Sequence, residues 1–325
     1  MNKFRHICQK SNSIKSPNLF RRHSYLSAYL LHTGTGTRLY ASKKRTKMPP
    51  PDAELHPVAT GLAKKTVDDH AAEQPLKLFA GWFCPFVQRA WITLEEKGIP
   101  YQYVEVNPYH KGPDLLRANP RGLVPTLEVA PGKSLYESTV LCEYLEDHYP
   151  EHKPRILPEV GKDDYTRAKA RIWMDYVTTR VIPAYHRLLQ FQPSQHEDGE
   201  QRLDDLRREF RGALLEFARE MDPQGPFFFG PDLSLVDIVI IPWATRLWVF
   251  EEFKGGLRIP EPGQGGSDEE AWVRWRKWFD VVSSRDSVKR TTSDSEHYIP
   301  IYKRYADDVA QSEMAKATRA GRGVP

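Results

Sequence analysis

The stretch "LFAGWFCPFVQRAWITLEEKG", Leu78 to Gly98, decides how the chain reads. A short apolar run leads through Gly81-Trp82-Phe83 to Cys84-Pro85, and an amphipathic segment then continues to Lys97 before Gly98 stops it. This is a strand, a tight junction and a helix, with proline at the first helical position and glycine just past the last. Cys84 therefore stands at a helix N-terminus, where the first N–H groups lack intrahelical partners and the dipole is positive. A thiolate can be held there. Lowering its pKa from about 8.5 to about 7 requires roughly 2 kcal/mol, within reach of a helix terminus and one or two N–H bonds. The alternative is an inert buried thiol. That reading suits Cys142, mid-helix among Val140, Leu141 and Leu145, better than it suits Cys84.

Working outward, "LKLFA" (Leu76–Ala80) and "YQYVEVN" (Tyr101–Asn107) read as strands on either side of that helix. "GPDLLRANP" reads as a short helix, "PTLEV" and "KSLYE" as a hairpin about Pro131-Gly132, and "STVLCEYLEDHY" as a helix begun by Ser138. Strand, helix, strand, helix, strand, strand, helix is a mixed sheet with helices on its faces, the order of a thioredoxin-like domain over 75–150. A Pro-spaced linker, 151–160, separates it from a wholly helical region, 161–315. There Asp163–Gln190 and Glu197–Met221 carry long 3.6-residue periods. Ser234 and Asp237 form a variant capping box before a very apolar helix running to about Phe250. Two more helices are expected near Glu270–Ser284 and His297–Ala315, and 316–325 reads as an exposed tail. The fold class is α+β, an N-terminal thioredoxin-like domain followed by an all-α domain.

The 325 residues leave room for both domains. The net charge of +4 is misleading. Residues 1–51 contain 11 Lys and Arg and no acid, so the remainder holds 36 basic and 43 acidic residues. An acidic body argues against a nucleic-acid partner. No apolar run approaches the roughly 20 residues of a membrane span. Cysteines at 8, 84 and 142 match neither a disulfide framework nor a zinc site, so no metal is expected. Residues 1–47 have the Arg- and Ser-rich, acid-free composition of a mitochondrial transit peptide, and "RLYAS" offers a cleavage point before Ala41. The rival reading starts translation at Met48 and leaves the protein cytoplasmic. Residues 48–74 read as a linker or arm.

The chemistry converges on the first domain. The sequence at the helix start is Cys-Pro-Phe-Val, with no second cysteine, so any thiol that resolves a mixed disulfide on Cys84 comes from outside. That points to a small thiol cosubstrate. Val124-Pro125, just before a strand, is where a cis peptide would turn backbone groups outward, letting an extended peptide pair with Val124. Ser138 at a helix N-terminus offers an anion site, and Glu137 beside it can meet an ammonium. Taken singly, Ser138 is a plain helix cap. Together with Cys84 and Val124-Pro125, the pair suits an α-amino acid head group.

This set, "FCPF", "GLVP", "YES" and "CEYL", resembles the glutathione transferase superfamily, its omega class in particular, from about Leu76 to about Val288. The resemblance implies that Cys84 is the nucleophile, with Phe83 and Pro85 beside it in the glutathione site. It implies that Val124 pairs with the cysteinyl backbone of glutathione, that Pro125 is cis, and that Glu137 and Ser138 hold the γ-glutamyl head. Lys111 falls where the class meets the glycyl carboxylate, although Gly112 separates it here from Pro113. Tyr176, Trp243, Arg246 and Trp278 are nominated for a second-substrate pocket, with core packing as the alternative. A homodimer is the superfamily's habit.

Tyrosine- and serine-type transferases hold a glutathione thiolate with a hydroxyl near the end of the first strand, where this chain has Gly81-Trp82-Phe83-Cys84. The expectation is therefore poor conjugation of electrophiles and glutathione-dependent thiol transfer or dehydroascorbate reduction through a Cys84–glutathione disulfide. The second substrate would be a small electrophile, disulfide or conjugate. Three rivals remain. One is a glutathionyl-hydroquinone reductase-like enzyme, whose motif reads Cys-Pro-Trp. The second is a chloride-channel-like membrane-associated protein, which lacks the Glu-Ser pair. The third is a non-enzymatic ligand carrier on the same fold.

Overall fold

Four strands order as β2-β1-β3-β4, built from Lys77–Ala80 (β1), Gln102–Glu105 (β2), Thr126–Ala130 (β3) and Lys133–Tyr136 (β4). β1 runs parallel to β2, with Leu78 opposite Tyr103, and antiparallel to β3, with Leu78 opposite Leu127. β3 and β4 form the hairpin. This is a computed structural model, and it describes residues 54–325. The basic leader, the Ala41 junction and the Met48 start lie outside the described residues.

Helices Pro85–Lys97 (α2), Pro113–Ala118 (α3) and Ser138–His148 (α4) complete the sheet-bearing half. α2 ends where expected, on Gly98 at φ 58°, a left-handed value that glycine adopts without a Cβ penalty. Its inner face, Val87, Ala90, Trp91 and Leu94, is fully buried. Gly61–Asp69, read from the sequence as linker, is instead a helix (α1). It is tied to the far end of the chain: Thr60 N donates to Ser293 Oγ at 3.1 Å, and Asp294 N to Thr60 Oγ1 at 3.0 Å. Trp82 Nε1 also donates to the His56 carbonyl. These long-range bonds hold the arm against the body, and no local sequence pattern reports them.

In the helical half, Asp163 caps Asp164–Tyr176 (α5) by accepting from Thr166 N. One π turn, Val177–Val181, joins α5 to Ile182–Gln190 (α6). Pro183 near the start of α6 lacks an N–H, which accounts for the shifted ladder there. Gly199–Arg219 (α7) follows, and then Leu235–Ala244 (α8), opened by the Ser234–Asp237 capping box. The apolar helix expected to reach Phe250 breaks after Ala244 and resumes as Trp248–Lys254 (α9). Thr245 Oγ1 bonds the Ile241 carbonyl and Arg246 Nη1 the Pro242 carbonyl, so side chains intercept carbonyls at the break. Glu269–Ser284 (α10), Asp286–Arg290 (α11), Ile299–Ala306 (α12) and Glu313–Arg319 (α13) complete the order.

Most of 316–325 is exposed, but α13 anchors the start of that tail. Met314, Ala315 and Ala317 are buried, and Gln190 Nε2 on α6 donates to the Ala315 carbonyl. Both halves share one core, because α8 packs on α2: Arg89 Nε donates to Val239 O at 2.9 Å. No helix among the described residues is long and apolar enough to cross a membrane.

Candidate functional site

A cavity of about 460 Å³ lies between the sheet-bearing half and the last helices. That is within the usual range for small-molecule sites. Phe83, Cys84, Pro85, Lys111, Val124, Pro125, Glu137 and Ser138, which come from four separate stretches of sequence, all border it. The β1–α2 junction, the turn before β3 and the start of α4 bring them together.

Cys84 is half-buried at the head of α2, and Pro85 takes the first helical position. Its Sγ lies 3.9 Å from the Val124 carbonyl, which it faces as a thiol donor. Burial pushes the thiol above its ordinary value. The N–H groups of Val87 and Phe86, then the charges of Arg246 and Arg89, pull the other way. The net direction is upward, opposite to the shift expected from the helix terminus alone. The cause is enclosure: the thiol gives up more hydration than those groups return. Its partial opening to a cavity that water can enter weakens that burial effect. Cys142 is fully buried, and burial pushes its thiol up to about 11.

The Val124–Pro125 peptide is cis, which leaves Val124 at the cavity wall just ahead of β3. Glu137 has a φ of 74°, uncommon outside glycine, and Ser138 follows it as the first residue of α4. Such strained backbone clusters at ligand sites. The Glu137 carboxylate is exposed and already paired, with Arg121 Nη1 at 2.7 Å. A ligand's ammonium would share that carboxylate with Arg121. Lys111 Nζ donates to the Arg121 carbonyl at 3.0 Å, so the intervening Gly112 does not carry it away from the cavity. Gly122 makes room for it: a Cβ there would sit 2.4 Å from Lys111 Cδ.

Two functional candidates escaped the sequence reading. Arg89 is buried, borders the cavity and donates from Nη1 to Ser138 Oγ at 3.1 Å, while its Nη2 has no partner. Its guanidinium stacks on Trp243 at 4.6 Å, and burial lowers its pKa to about 9, so it is still a cation at neutral pH. The signal was present as a charge between Val87 and Trp91 on the buried face of α2. His186 on α6 is the other, enclosed among the aromatic residues of the far wall.

The second-substrate residues named from sequence lie elsewhere. Trp243 and Trp278 are core: Trp278 Nε1 donates to buried Asp237 at 2.8 Å, and Trp243 packs under Arg89. Arg246 is buried with Gln88 and the Pro242 carbonyl, and its charge acts on Cys84 without bordering the cavity. Tyr176 turns outward, its hydroxyl donating to the Ala213 carbonyl and lying 3.0 Å from Glu216. Thr178, His186, Ile301, Tyr302, Tyr305 and Met314 form the far wall instead. Apolar residues at helical spacing read alike whether they face a core or a cavity, so the sequence does not separate the two sets.

Comparison with known proteins agrees with this geometry. Residues 83–148 match the family model described as "Glutathione S-transferase, N-terminal domain", and residues 200–280 match "Glutathione S-transferase, C-terminal domain". The chain is 33% identical to glutathione S-transferase omega-1 of Sus scrofa over 176 residues, 54% of this chain and 68% of that protein. It is 32% identical to the pyrimidodiazepine synthase of Drosophila melanogaster over 184 residues, 55% of this chain and 68% of that protein. Among solved structures, glutathione transferase Omega 3C from Trametes versicolor is 44% identical with a TM-score of 0.66, covering 78% of this chain and all of that one. A rice glutathione transferase solved with glutathione is 28% identical with a TM-score of 0.59, covering 72% of this chain and all of that one. The chain belongs to the glutathione S-transferase superfamily, in its omega-like branch.

Proposed function

We propose that this glutathione transferase works through Cys84 in glutathione-dependent thiol transfer and reduction. The observation that carries the reading is a cysteine where other transferases place a hydroxyl, half-buried at a helix N-terminus and open to the cavity. Val124, Glu137, Ser138 and Lys111, which border the cavity, would hold the glutathionyl part.

The Cys84 thiolate attacks the glutathionyl sulfur of a mixed disulfide. A Cys84–glutathione disulfide forms, the original S–S bond breaks, and the acceptor leaves as a thiolate that takes up a proton. The thiolate of a second glutathione then attacks the same sulfur, releasing glutathione disulfide and restoring Cys84. Each cycle reduces one mixed disulfide to the acceptor thiol and consumes one added glutathione, the other half of the glutathione disulfide coming from the mixed disulfide itself. Arg246 and Arg89 favour the thiolate at both its formation and its return.

Intact mass after incubation with glutathione disulfide, at neutral and at alkaline pH, tests this. One glutathionyl adduct is expected on the parent and none on Cys84→Ser, with removal by excess glutathione. A folded parent that takes no adduct even at alkaline pH would sink the mechanism and leave the carrier or membrane-associated reading. Turnover on glutathionyl-hydroquinones would favour the reductase alternative.

Two further readings belong with it. The exposed apolar residues Val140 on α4 and Tyr165 and Ile172 on α5 support a homodimer through that face. α4 and α5 are braced side by side by Arg171–Glu143, and Ile172→Glu should yield a monomer by light scattering. The composition of residues 1–47 supports mitochondrial import. A fluorescent fusion of the full chain should enter mitochondria, and one begun at Met48 should stay outside.

A further inference from the structure

His186 is 4% exposed, and neither ring nitrogen has a hydrogen-bond partner, although the residue borders the cavity. The other polar groups on that wall are engaged. Tyr305 Oη and Ser312 Oγ are 2.7 Å apart, Thr178 Oγ1 donates to the Met174 carbonyl, and the Tyr302 hydroxyl pairs with Tyr185. Buried polar atoms are almost always bonded, so an imidazole with both nitrogens idle beside a cavity marks a place for a ligand group.

The surroundings define that group. Burial lowers the His186 pKa to about 3, so the ring is neutral, with one N–H donor and one acceptor. A neutral ring offers a carboxylate no charge. Of the cations bordering the cavity, Arg89 and Lys111 lie with Ser138 and Arg121 on the opposite side, while Lys316 is paired with Glu313. Tyr302, Tyr305, Ile301 and Met314 make the rest of the wall aromatic or apolar, and the Tyr305 ring lies 5.5 Å from the imidazole. A flat apolar body with one uncharged polar edge satisfies all of these constraints.

We propose that His186 is the hydrogen-bonding anchor of the acceptor site, and that it selects uncharged aromatic molecules bearing a hydroxyl or carbonyl over plain aromatics and over aromatic carboxylates. The inference rests on the reading of this cavity as the place where the second substrate meets Cys84. It goes beyond that reading by naming the substrate class and the residue that reads it.

Fluorescence titration at pH 7 with 2-naphthol, naphthalene and 2-naphthoate tests this without any thiol chemistry. A failure of Cys84 to form its adduct would therefore leave this result interpretable. The parent should bind 2-naphthol about tenfold or more tightly than either of the other two, as a site built to hydrogen-bond a hydroxyl rejects the analogue lacking it. His186→Leu should remove the preference for 2-naphthol over naphthalene, and His186→Gln, which keeps a donor and an acceptor, should retain part of it. A parent that binds 2-naphthol and naphthalene equally would overturn the proposal whether or not the variants fold. So would a folded Leu or Gln variant outcome that inverts this order, with discrimination intact in Leu or absent from Gln.

Discussion

Nη1 of Arg89 donates to Oγ of Ser138 at 3.1 Å, so the head of α4 is held from beneath by a cation on α2. The same guanidinium reaches the Val239 carbonyl on α8 and stacks on Trp243, joining both halves of the chain behind the cavity. Arg89→Met keeps the bulk and removes both bonds. The apparent KM for glutathione should rise by about tenfold, with kcat less affected. Stability should fall by about 1–3 kcal/mol, because buried charged hydrogen bonds to the Val239 carbonyl and Ser138 hydroxyl are lost. Steady-state kinetics and urea unfolding check this; an unchanged KM would mean that Ser138 needs no support from Arg89.

Only the thiolate of Cys84 reacts, and burial pushes its pKa up in the free protein. Alkylation by iodoacetamide should therefore accelerate as pH rises, with a midpoint above that of an unperturbed cysteine. Arg246 opposes that burial from its enclosed position. Removing its charge in Arg246→Met should move the midpoint further upward. A parent midpoint near neutrality would show that the helix terminus outweighs enclosure.

Glu105, on β2, has one carboxylate oxygen near Trp82 N at 3.3 Å and the other buried without a partner. Burial raises its pKa to about 7, partly offset by the N–H groups of Trp82 and Ala59. The folded state thus binds this proton more tightly than the unfolded chain, whose Glu titrates near 4.3. The stability it provides is full below about pH 4 and is lost as pH rises through about 7. Glu105→Gln should be neutral or mildly destabilising at pH 4, and should gain on the parent by about 2–3 kcal/mol at pH 8. Urea unfolding at the two pH values measures the difference, and a pH-independent gap would contradict it.

Trp278 is a structural residue, because its indole N–H bonds the buried carboxylate of Asp237 at 2.8 Å. Asp237 also accepts from Phe228 N and Ser234 N. Trp278→Phe should cost about 1–3 kcal/mol in urea unfolding and leave the acceptor KM of the folded enzyme where it was. Tyr305→Ala, on the far wall of the cavity, should shift that KM by about tenfold. The reverse pattern would return Trp278 to the acceptor pocket.

The sequence alone was enough to read the βαβ opening, the Cys84-Pro85 helix start, the hairpin and the Ser234–Asp237 cap, and to name residues from the first half that border the cavity. Each depends on neighbours a few positions away: a proline that cannot donate, a glycine that adopts positive φ, a hydroxyl that meets an exposed N–H. What lay outside its reach depends on contacts between distant segments. The arm's helix α1 is held by Ser293 and Asp294, over 230 positions along the chain, and α13 is held by Gln190. The direction of the Cys84 shift turns on how completely the cavity encloses it, a sum over both halves of the chain. Which aromatic residues border the cavity was beyond the sequence for the same reason. Trp243 and Trp278 have the same apolar character as Tyr302 and Tyr305, and only the packing of α8, α10 and α12 decides which pair faces the core and which the cavity.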